Sequence, residues 1–531
     1  MADIVVVGAG AAGLMAALVA ARAGAAVIVL EKGERLGGTA AISGGVVWAP
    51  LNDHIDPAAP DSRAAALDYF ASVSGSADAR TAAFVDHAAA AMRFIEANSR
   101  VRFAVIPGYP DYFVERPGAR AGGGRALDSG LFPFAELGEW RDRVLTATSY
   151  PLTLTETPLG GGSGQVAPEI LAERIAQDQR GFGQALVGGL LEACLAQGVT
   201  IRLGCRVAAL DRDARGVTGV RLADGTGVAA DAVIVATGGF EWDRDLAQTF
   251  LRGPIAYPAS PPCNTGDGLR MLMAGGAALG HMTQAWWCPT IATGETWDDG
   301  SPRAAPALIE RTMPGSIVVN RTGQRFANEA ANYTALAGAF HHFDPNSYAY
   351  ANLPAWLVFD QAYRDRVPVG GVMPGAPAPD WMVGADTLAG LAAAIGVPAA
   401  ALEQTVARFN AAAHAGADPD FARGDSDYDR FYGDRSHVDA RATLGPLETA
   451  PFYAVPLHLG VLGTCGGAQT DPHGRVLGHD GAPIDGLYAA GNVIASPTAG
   501  IYAGAGGTLG PALTYAYLAA NHAAGANGDI A

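Results

Sequence analysis

The chain reads as an α/β protein built on a parallel sheet, and three observations in its 531 residues predict that class. The first is "DIVVVGAGAAGLMAALVAARAGAAVIVLEK" near the start, where an apolar strand passes through spaced glycines into a small-residue helix and then a second apolar strand. The second is a pair of later segments, "VAADAVIVATGGFEWD" and "IDGLYAAGNV", which also run from strand into glycine. The third is size, since 531 residues exceed one ordinary core and imply two or more domains with ample buried interior.

Each part of the first segment has a physical task. Residues 4–7 form a buried strand, and Gly8, Gly10 and Gly13 follow in G-x-G-x-x-G spacing at the opening of a helix. Gly8 allows the tight turn, Gly10 lets a pyrophosphate approach backbone amides at the helix N-terminus, and Gly13 lets helix and strand pack closely. The strand at 26–30 ends at Glu31, placed to accept hydrogen bonds from a ribose diol and to disfavour a 2′-phosphate. Strand, helix, second strand and acid at this spacing point to a dinucleotide. The segment lacks charge from Ile4 to Ala21, as a membrane span would, but a buried strand and tightly packed helix explain the same apolarity. Its first residues carry no basic leader, so no secretory signal is expected.

The next stretch, "KGERLGGTAAISGGVVWAP", offers backbone donors and small hydroxyls at Gly37, Gly38, Thr39, Ser43, Gly44 and Gly45. Such an extended phosphate-ribityl path suits FAD better than NAD. The turn Ala236-Thr237-Gly238 and the later Gly491-Asn492 lie where strands reach glycine, and Ala12, Lys32, Asp267, Thr508 and Leu509 count with them as candidate cofactor contacts. Between these ends, residues 184–235 read as an amphipathic helix, a strand through Val207 and a small β-meander with "RG" and "DG" turns. Val207 either meets the adenine edge through its backbone or is a core valine. With no second G-x-G-x-x-G unit, one dinucleotide is expected, and its reduced flavin passes electrons to an external acceptor.

Composition excludes several classes. With 52 acidic and 35 basic residues, a net charge of −17 and no Lys/Arg cluster, the surface repels phosphate backbones and anionic lipid, so nucleic acid is not an expected partner. Five scattered cysteines, none in C-x-x-C spacing, argue against a disulfide framework, an iron–sulfur cluster or a zinc site and suit a reducing cytoplasm. The stretch from 486 to 528 has no Asp, Glu, Lys or Arg, yet Gly and Pro break it, as expected of a protein interior. No membrane anchor is visible in the sequence, which leaves only loose membrane association open.

Further stretches include "NTGDG" (264–268), "AWWCPT" (285–290), "GSIVVNRTGQRFANEAANY" (315–333), "DPDFARGDSDYDRFYGD" (418–434), "LGTCGGAQTDPHGRVL" (462–477) and "YAGAGGTLGPALTYAYLAA" (502–520). On these, nearly end to end, the chain resembles the fumarate reductase and succinate dehydrogenase flavoprotein family, and within it the 3-ketosteroid Δ1-dehydrogenases. The resemblance implies a Rossmann-like FAD-binding domain with a parallel sheet and small β-meander, at 1–295 and 464–531. An α+β catalytic or lid domain at 296–463 interrupts it, with the active site at the junction.

The resemblance also implies roles. A 3-ketosteroid loses hydrogens from C1 and C2 when its ketone is polarised, its C2 proton is taken by a base, and hydride passes to flavin N5. Tyr502 and the backbone N–H of Gly506 match the ketone-binding positions. A phenol just before a helix N-terminus would sit in a field that favours an enolate. Tyr333 matches the general base, and Tyr112 the helper phenol that shares its proton. Phe113 stands where family members commonly carry a second tyrosine. Thr39-Ala40 replaces the usual Ser-Thr, Cys465 replaces a basic or polar residue, and Ile501 and Ala503 replace Thr and Pro around Tyr502. Trp286 and Trp287 read equally as pocket wall or core.

The same reading implies non-covalent FAD, because the Gly37–Gly45 loop has no histidine, and a quinone-like external acceptor. A fumarate reductase would need carboxylate-clamping arginines where this chain has Ala503-Gly504-Ala505. A Δ4-(5α)-ketosteroid dehydrogenase, another flavin ketone or enone oxidoreductase, and a non-catalytic flavin-binding subunit remain the other readings.

Overall fold

The alternation of valine-rich runs and small-residue helices resolves into two units in the computed structural model, which describes residues 2–146 and 150–525. The larger unit comprises Met1–Leu251, Ser260–Ala285 and Gly463–Ala531, and the smaller comprises Arg252–Ala259 and Trp286–Leu462. The division therefore falls at 285/286 rather than 295/296, because the strand Ala285–Thr296 pairs with Pro302–Pro306 in the smaller unit. Arg252–Ala259 joins that unit too, with the amides of Ala256 and Ala259 donating to the carbonyls of Leu459 and Val461.

In the larger unit the strands Thr200–Arg202, Val27–Leu30, Ala2–Val7, Gly227–Val235 and Pro483–Ala489 lie side by side, all parallel, with Arg475–Leu477 antiparallel at one edge. The meander Val207–Asp213, Gly216–Leu222 and Gly227–Val235 leads back into this sheet. Its last strand pairs antiparallel through 227–229 and parallel to Ala2–Val7 from Ala230 onward. The strand expected to run through Val207 is two pieces, Thr200–Arg202 and Val207–Asp213.

The helix Ala11–Arg22 packs against Phe182–Ala196 and Leu509–Ala523. Every residue from Ala11 to Ala20 is buried, which its run of small side chains permits. A Cβ on Gly13 would stand 1.9 Å from the carbonyl oxygen of Gly8, so the helix reaches the strand only through glycine. The helix Phe182–Ala196 is not amphipathic as expected, since Gly183–Leu191 is buried without interruption. Cβ atoms on Gly188 and Gly189 would come within 2.8 Å of Phe132 and 2.5 Å of Val101, showing a layer packed on its far face. A helix covered on both sides is apolar all round.

The smaller unit is built on a six-stranded sheet ordered Pro302–Pro306, Ala285–Thr296, Phe452–Thr464, Ala355–Asp360, Ser316–Asn320, with Val383–Ala385 also paired to Phe452–Thr464. Helices Leu388–Ile395 and Ala399–Ala415 cover it through Leu391, Leu402, Val406 and Phe409. Arg325 binds Glu329 through two bonds of 2.7 Å and Asp418 through bonds of 3.1 and 2.8 Å, and Arg423 reaches Glu329 at 3.2 Å. Glu329 and Arg423 are essentially inaccessible. The stretches "RFANEAANY" and "DPDFARGD" are thus the two sides of one buried ion network.

Burial opposes the charge on Glu329, but Arg325 and Arg423 outweigh it and hold the carboxyl below its ordinary range. Its stabilising contribution is complete above the unfolded carboxylate pKa and is lost as pH falls through the depressed value. Glu329→Gln, which leaves two buried guanidinium groups undercompensated, should cost about 3–5 kcal/mol in urea unfolding. Gly13→Ala should cost about 1–3 kcal/mol through overpacking.

Candidate active site

The glycine turns gather at the carboxyl ends of the parallel strands, the edge where open α/β sheets hold ligands. After the Ala2–Val7 strand, Gly8 turns with φ +101°, and a Cβ there would lie 2.5 Å from the carbonyl oxygen of Ala236. Gly37 donates its amide to the Ala9 carbonyl at 2.9 Å, and Gly10 bridges to Gly37. Gly491 lies beside Ala12, whose Cβ would be 3.4 Å from one added to that glycine. Four separate sequence segments therefore meet around the start of the Ala11–Arg22 helix. No side chain caps that start, and its first turn carries no acid, leaving the amides available to an anion.

Glu31 accepts hydrogen bonds at 2.9 Å from the amides of Ala9 and Gly33, one on each carboxylate oxygen. It ties the glycine turn to the end of the second strand, and its remaining lone pairs are what a ribose would use. Lys32 and Asp267 are joined to each other at 2.9 Å, and Arg206 meets the other oxygen of Asp267 at 2.7 Å. Burial opposes the charge on Asp267, but Lys32 and Arg206 outweigh it and lower its pKa. These two candidates thus form a half-buried ion pair. Val207 is a buried core residue, leaving only its backbone for an adenine.

Along the second glycine stretch, Gly38–Ile42 forms a single helical turn with Gly37 at its cap. Ser43 donates to the carbonyl of Ala40 at 2.8 Å and accepts from the amide of Gly45, while Gly44 and Gly45 pack against Leu154 and Phe182 respectively. Thr39 accepts from the side-chain amide of Asn264 at 2.8 Å, and that amide also donates to Glu241 at 2.7 Å. Glu241 is buried and its pKa is raised by desolvation, while Ser260 donates to it at 2.6 Å. Asn264 and Glu241 lie inside the motifs "NTGDG" and "ATGGFE", but residue type alone did not mark them as supports for Thr39. Gly238 takes φ +75°, and a Cβ there would stand 2.8 Å from Asn264 Oδ1.

The phenols divide between the two units. In the larger unit, the rings of Tyr112 and Tyr502 stack with centroids 5.5 Å apart and planes 9° from parallel, and both residues are buried. The helix after Tyr502 begins only at Leu509, so a turn through Gly504–Thr508 separates the phenol from the helix end. Thr508 and Leu509 occupy that end. Gly506 has φ +87°, its carbonyl accepts from the Trp48 amide at 3.2 Å, and a Cβ would lie 2.5 Å from that nitrogen. Packing alone therefore explains why this residue is glycine. In the smaller unit, Tyr333 is the first residue of the helix Tyr333–Phe340, the end where backbone amides favour negative charge. Asn332 caps it by accepting from Ala335 at 2.8 Å. Arg311 donates to the carbonyls of Glu329 and Ala331, fixing the approach to Tyr333.

Trp286 and Trp287 are buried in the smaller unit, with Trp287 edge-on to His341 at 4.5 Å. Cys465 is a buried side chain of the larger unit. Among the described residues there is no helix long and apolar enough to cross a membrane, and no group of three or more His, Cys, Asp or Glu that could hold a metal ion.

The family described as FAD binding domain matches residues 3–509. The 4-oxocyclohexanecarboxylate 2-dehydrogenase of Sinomonas cyclohexanicum is 44% identical over 98% of this chain and 93% of its own length. The 3-oxosteroid 1-dehydrogenase of Mycobacterium tuberculosis is 38% identical over 98% of each chain. The 3-ketosteroid Δ1-dehydrogenase of Sterolibacterium denitrificans, solved with 1,4-androstadiene-3,17-dione, superposes with a TM-score of 0.90 at 34% identity, over 99% of this chain and 100% of that one.

The residues present fit FAD. Besides the uncapped helix, the hydroxyls of Thr237 and Thr508, two of the candidate contacts, are buried without a hydrogen-bond partner in the protein. Glu31→Ala should weaken FAD binding about tenfold or more, through loss of charge-assisted hydrogen bonds. Flavin absorbance per protein after dialysis measures it.

Proposed function

We propose, from the premise that the chain belongs to the FAD binding domain family, that it removes two hydrogens from the carbon–carbon bond beside a ring ketone. It is an FAD-dependent oxidoreductase of the steroid and cyclic-ketone dehydrogenases. In this reading the substrate is a 3-ketosteroid and the new double bond joins C1 and C2. The stacked pair Tyr112 and Tyr502 in the glycine-rich loops is the observation that carries it.

The Tyr502 hydroxyl and the Gly506 amide polarise the ketone oxygen, which makes the neighbouring C–H acidic. Tyr333 takes the C2 proton as base, and Tyr112 is the second phenol that shares it. When bound, non-covalent FAD would supply the acceptor for hydride from C1, with a quinone-like external acceptor for the electrons. Phenols suit this task because they donate to oxygen without placing a cation in an apolar site.

A second reading keeps the chemistry and changes the ring. The 44% identity to an enzyme named for 4-oxocyclohexanecarboxylate favours a monocyclic oxo-acid as substrate. Anaerobic addition of 4-androstene-3,17-dione should bleach the flavin, whereas bleaching by 4-oxocyclohexanecarboxylate alone would replace the steroid with the monocycle. No bleaching by either would overturn the reaction class. With the active ketone, Tyr502→Phe should lower turnover by about 10²-fold or more while FAD stays bound. Tyr333→Phe should abolish solvent exchange of the proton next to the ketone, followed by mass spectrometry in deuterium oxide.

A further inference from the structure

Tyr69 lies on the helix Arg63–Ser74, far in sequence from every phenol considered so far, and its side chain is inaccessible to solvent. Its hydroxyl donates to the carbonyl of Ala503 at 2.7 Å and accepts from the amide of Phe113 at 3.1 Å. The same Ala503 carbonyl accepts from the amide of Tyr112 at 3.0 Å. One phenol thus joins the residue after Tyr502 to the residue after Tyr112, and those two tyrosines are the stacked pair.

The surroundings keep this joint in place. Asp111 accepts from Trp48 Nε1 at 2.8 Å, from Arg125 at 2.7 Å and from the Arg120 amide at 3.0 Å. Arg125 also forks onto Asp61, at 2.8 and 2.7 Å, and its guanidinium lies over the rings of Trp48 and Tyr69. A Cβ on Gly504 would come within 2.5 Å of Trp48, and one on Gly118 within 2.0 Å of the Ala65 carbonyl, so both loops lie directly on this cluster. Phenylalanine would fill the space of Tyr69 equally well. Only the hydroxyl satisfies the Phe113 amide and adds a second donor to Ala503.

We propose that Tyr69 is a positioning residue for the reaction, holding the Tyr112 and Tyr502 loops in the register that stacks their rings. This rests on the function proposed above. Misplacing a reacting group by about 1 Å lowers turnover by up to about 10²-fold, and the joint prevents such drift.

The test is Tyr69→Phe in the full-length, FAD-loaded enzyme, with Tyr363→Phe as control. Tyr363 is equally buried in the smaller unit, and its hydroxyl likewise donates to a carbonyl, that of Glu310 at 2.6 Å. Y69F should retain its flavin, lose about tenfold or more in kcat, and keep KM within about threefold. Hydrogen exchange should quicken in peptides covering 109–116 and 500–508, and Y363F should show none of these changes. Unchanged exchange in both loops overturns the proposal, as does wild-type kcat in Y69F or an equal loss of kcat in Y363F. If wild-type enzyme turns over neither ketone, the function proposed above falls, while the exchange of the two loops still decides whether the joint exists.

Discussion

Backbone meeting backbone at the carboxyl edge of the parallel sheet is the constraint on which the larger unit depends. Gly13 lies against Gly8, and Gly8 against Ala236, at separations that leave no room for a Cβ. This contact pulls the uncapped start of the first helix to the same edge as three other turns. The amide field that suits a pyrophosphate therefore follows from close packing, without a cationic side chain in the turn. A strongly acidic chain can hold an anionic cofactor in this way, because the attraction is local and made of backbone dipoles.

Arginine plays a different part in this molecule, since several guanidinium groups lie inside. Arg125 ties Asp61 and Asp111 together in one unit, while Arg325 and Arg423 tie Glu329 and Asp418 in the other. Burial opposes the charge on Arg125, but the two carboxylates outweigh it and hold its pKa above the ordinary value. Buried pairs of this kind contribute little net stability relative to apolar packing. Both networks, however, lie beside segments that carry candidate phenols, Asp111 next to Tyr112 and Glu329 four residues before Tyr333. Directional bonds fix an approach angle in a way that aliphatic packing does not.

The proposed chemistry asks for neutral donors in a dry place. Tyr502 is buried and lies in a run, 486 to 528, without Asp, Glu, Lys or Arg, a setting in which a hydrogen bond to the proposed enolate would gain strength. The relatives are named for a 3-oxosteroid and for 4-oxocyclohexanecarboxylate, which share a ketone in a six-membered carbocycle and differ in what that ring carries. The shared part is the part that phenols and a glycine loop can recognise.

The sequence by itself determined the cofactor end of the protein. A turn, a helix and a second strand at fixed spacing are local features, and local spacing is written in the chain, so the strand, the glycine turn at Gly8, Gly10 and Gly13, the helix and the strand ending before Glu31 were legible directly. The resemblance added the candidate tyrosines. Only the tertiary structure decided what holds them, because Tyr69, Asp61, Asp111 and Arg125 are ordinary residues in unremarkable segments until folding brings them into one cluster. It also decided that the 182–196 helix is buried without interruption along Gly183–Leu191, since a two-sided environment cannot be read from one helix alone. It showed the "RFANE" and "DPDFARG" stretches to be partners across 93 residues. Hydrogen bonds between distant segments leave no periodicity in either one, which is why periodicity and spacing could not reveal them.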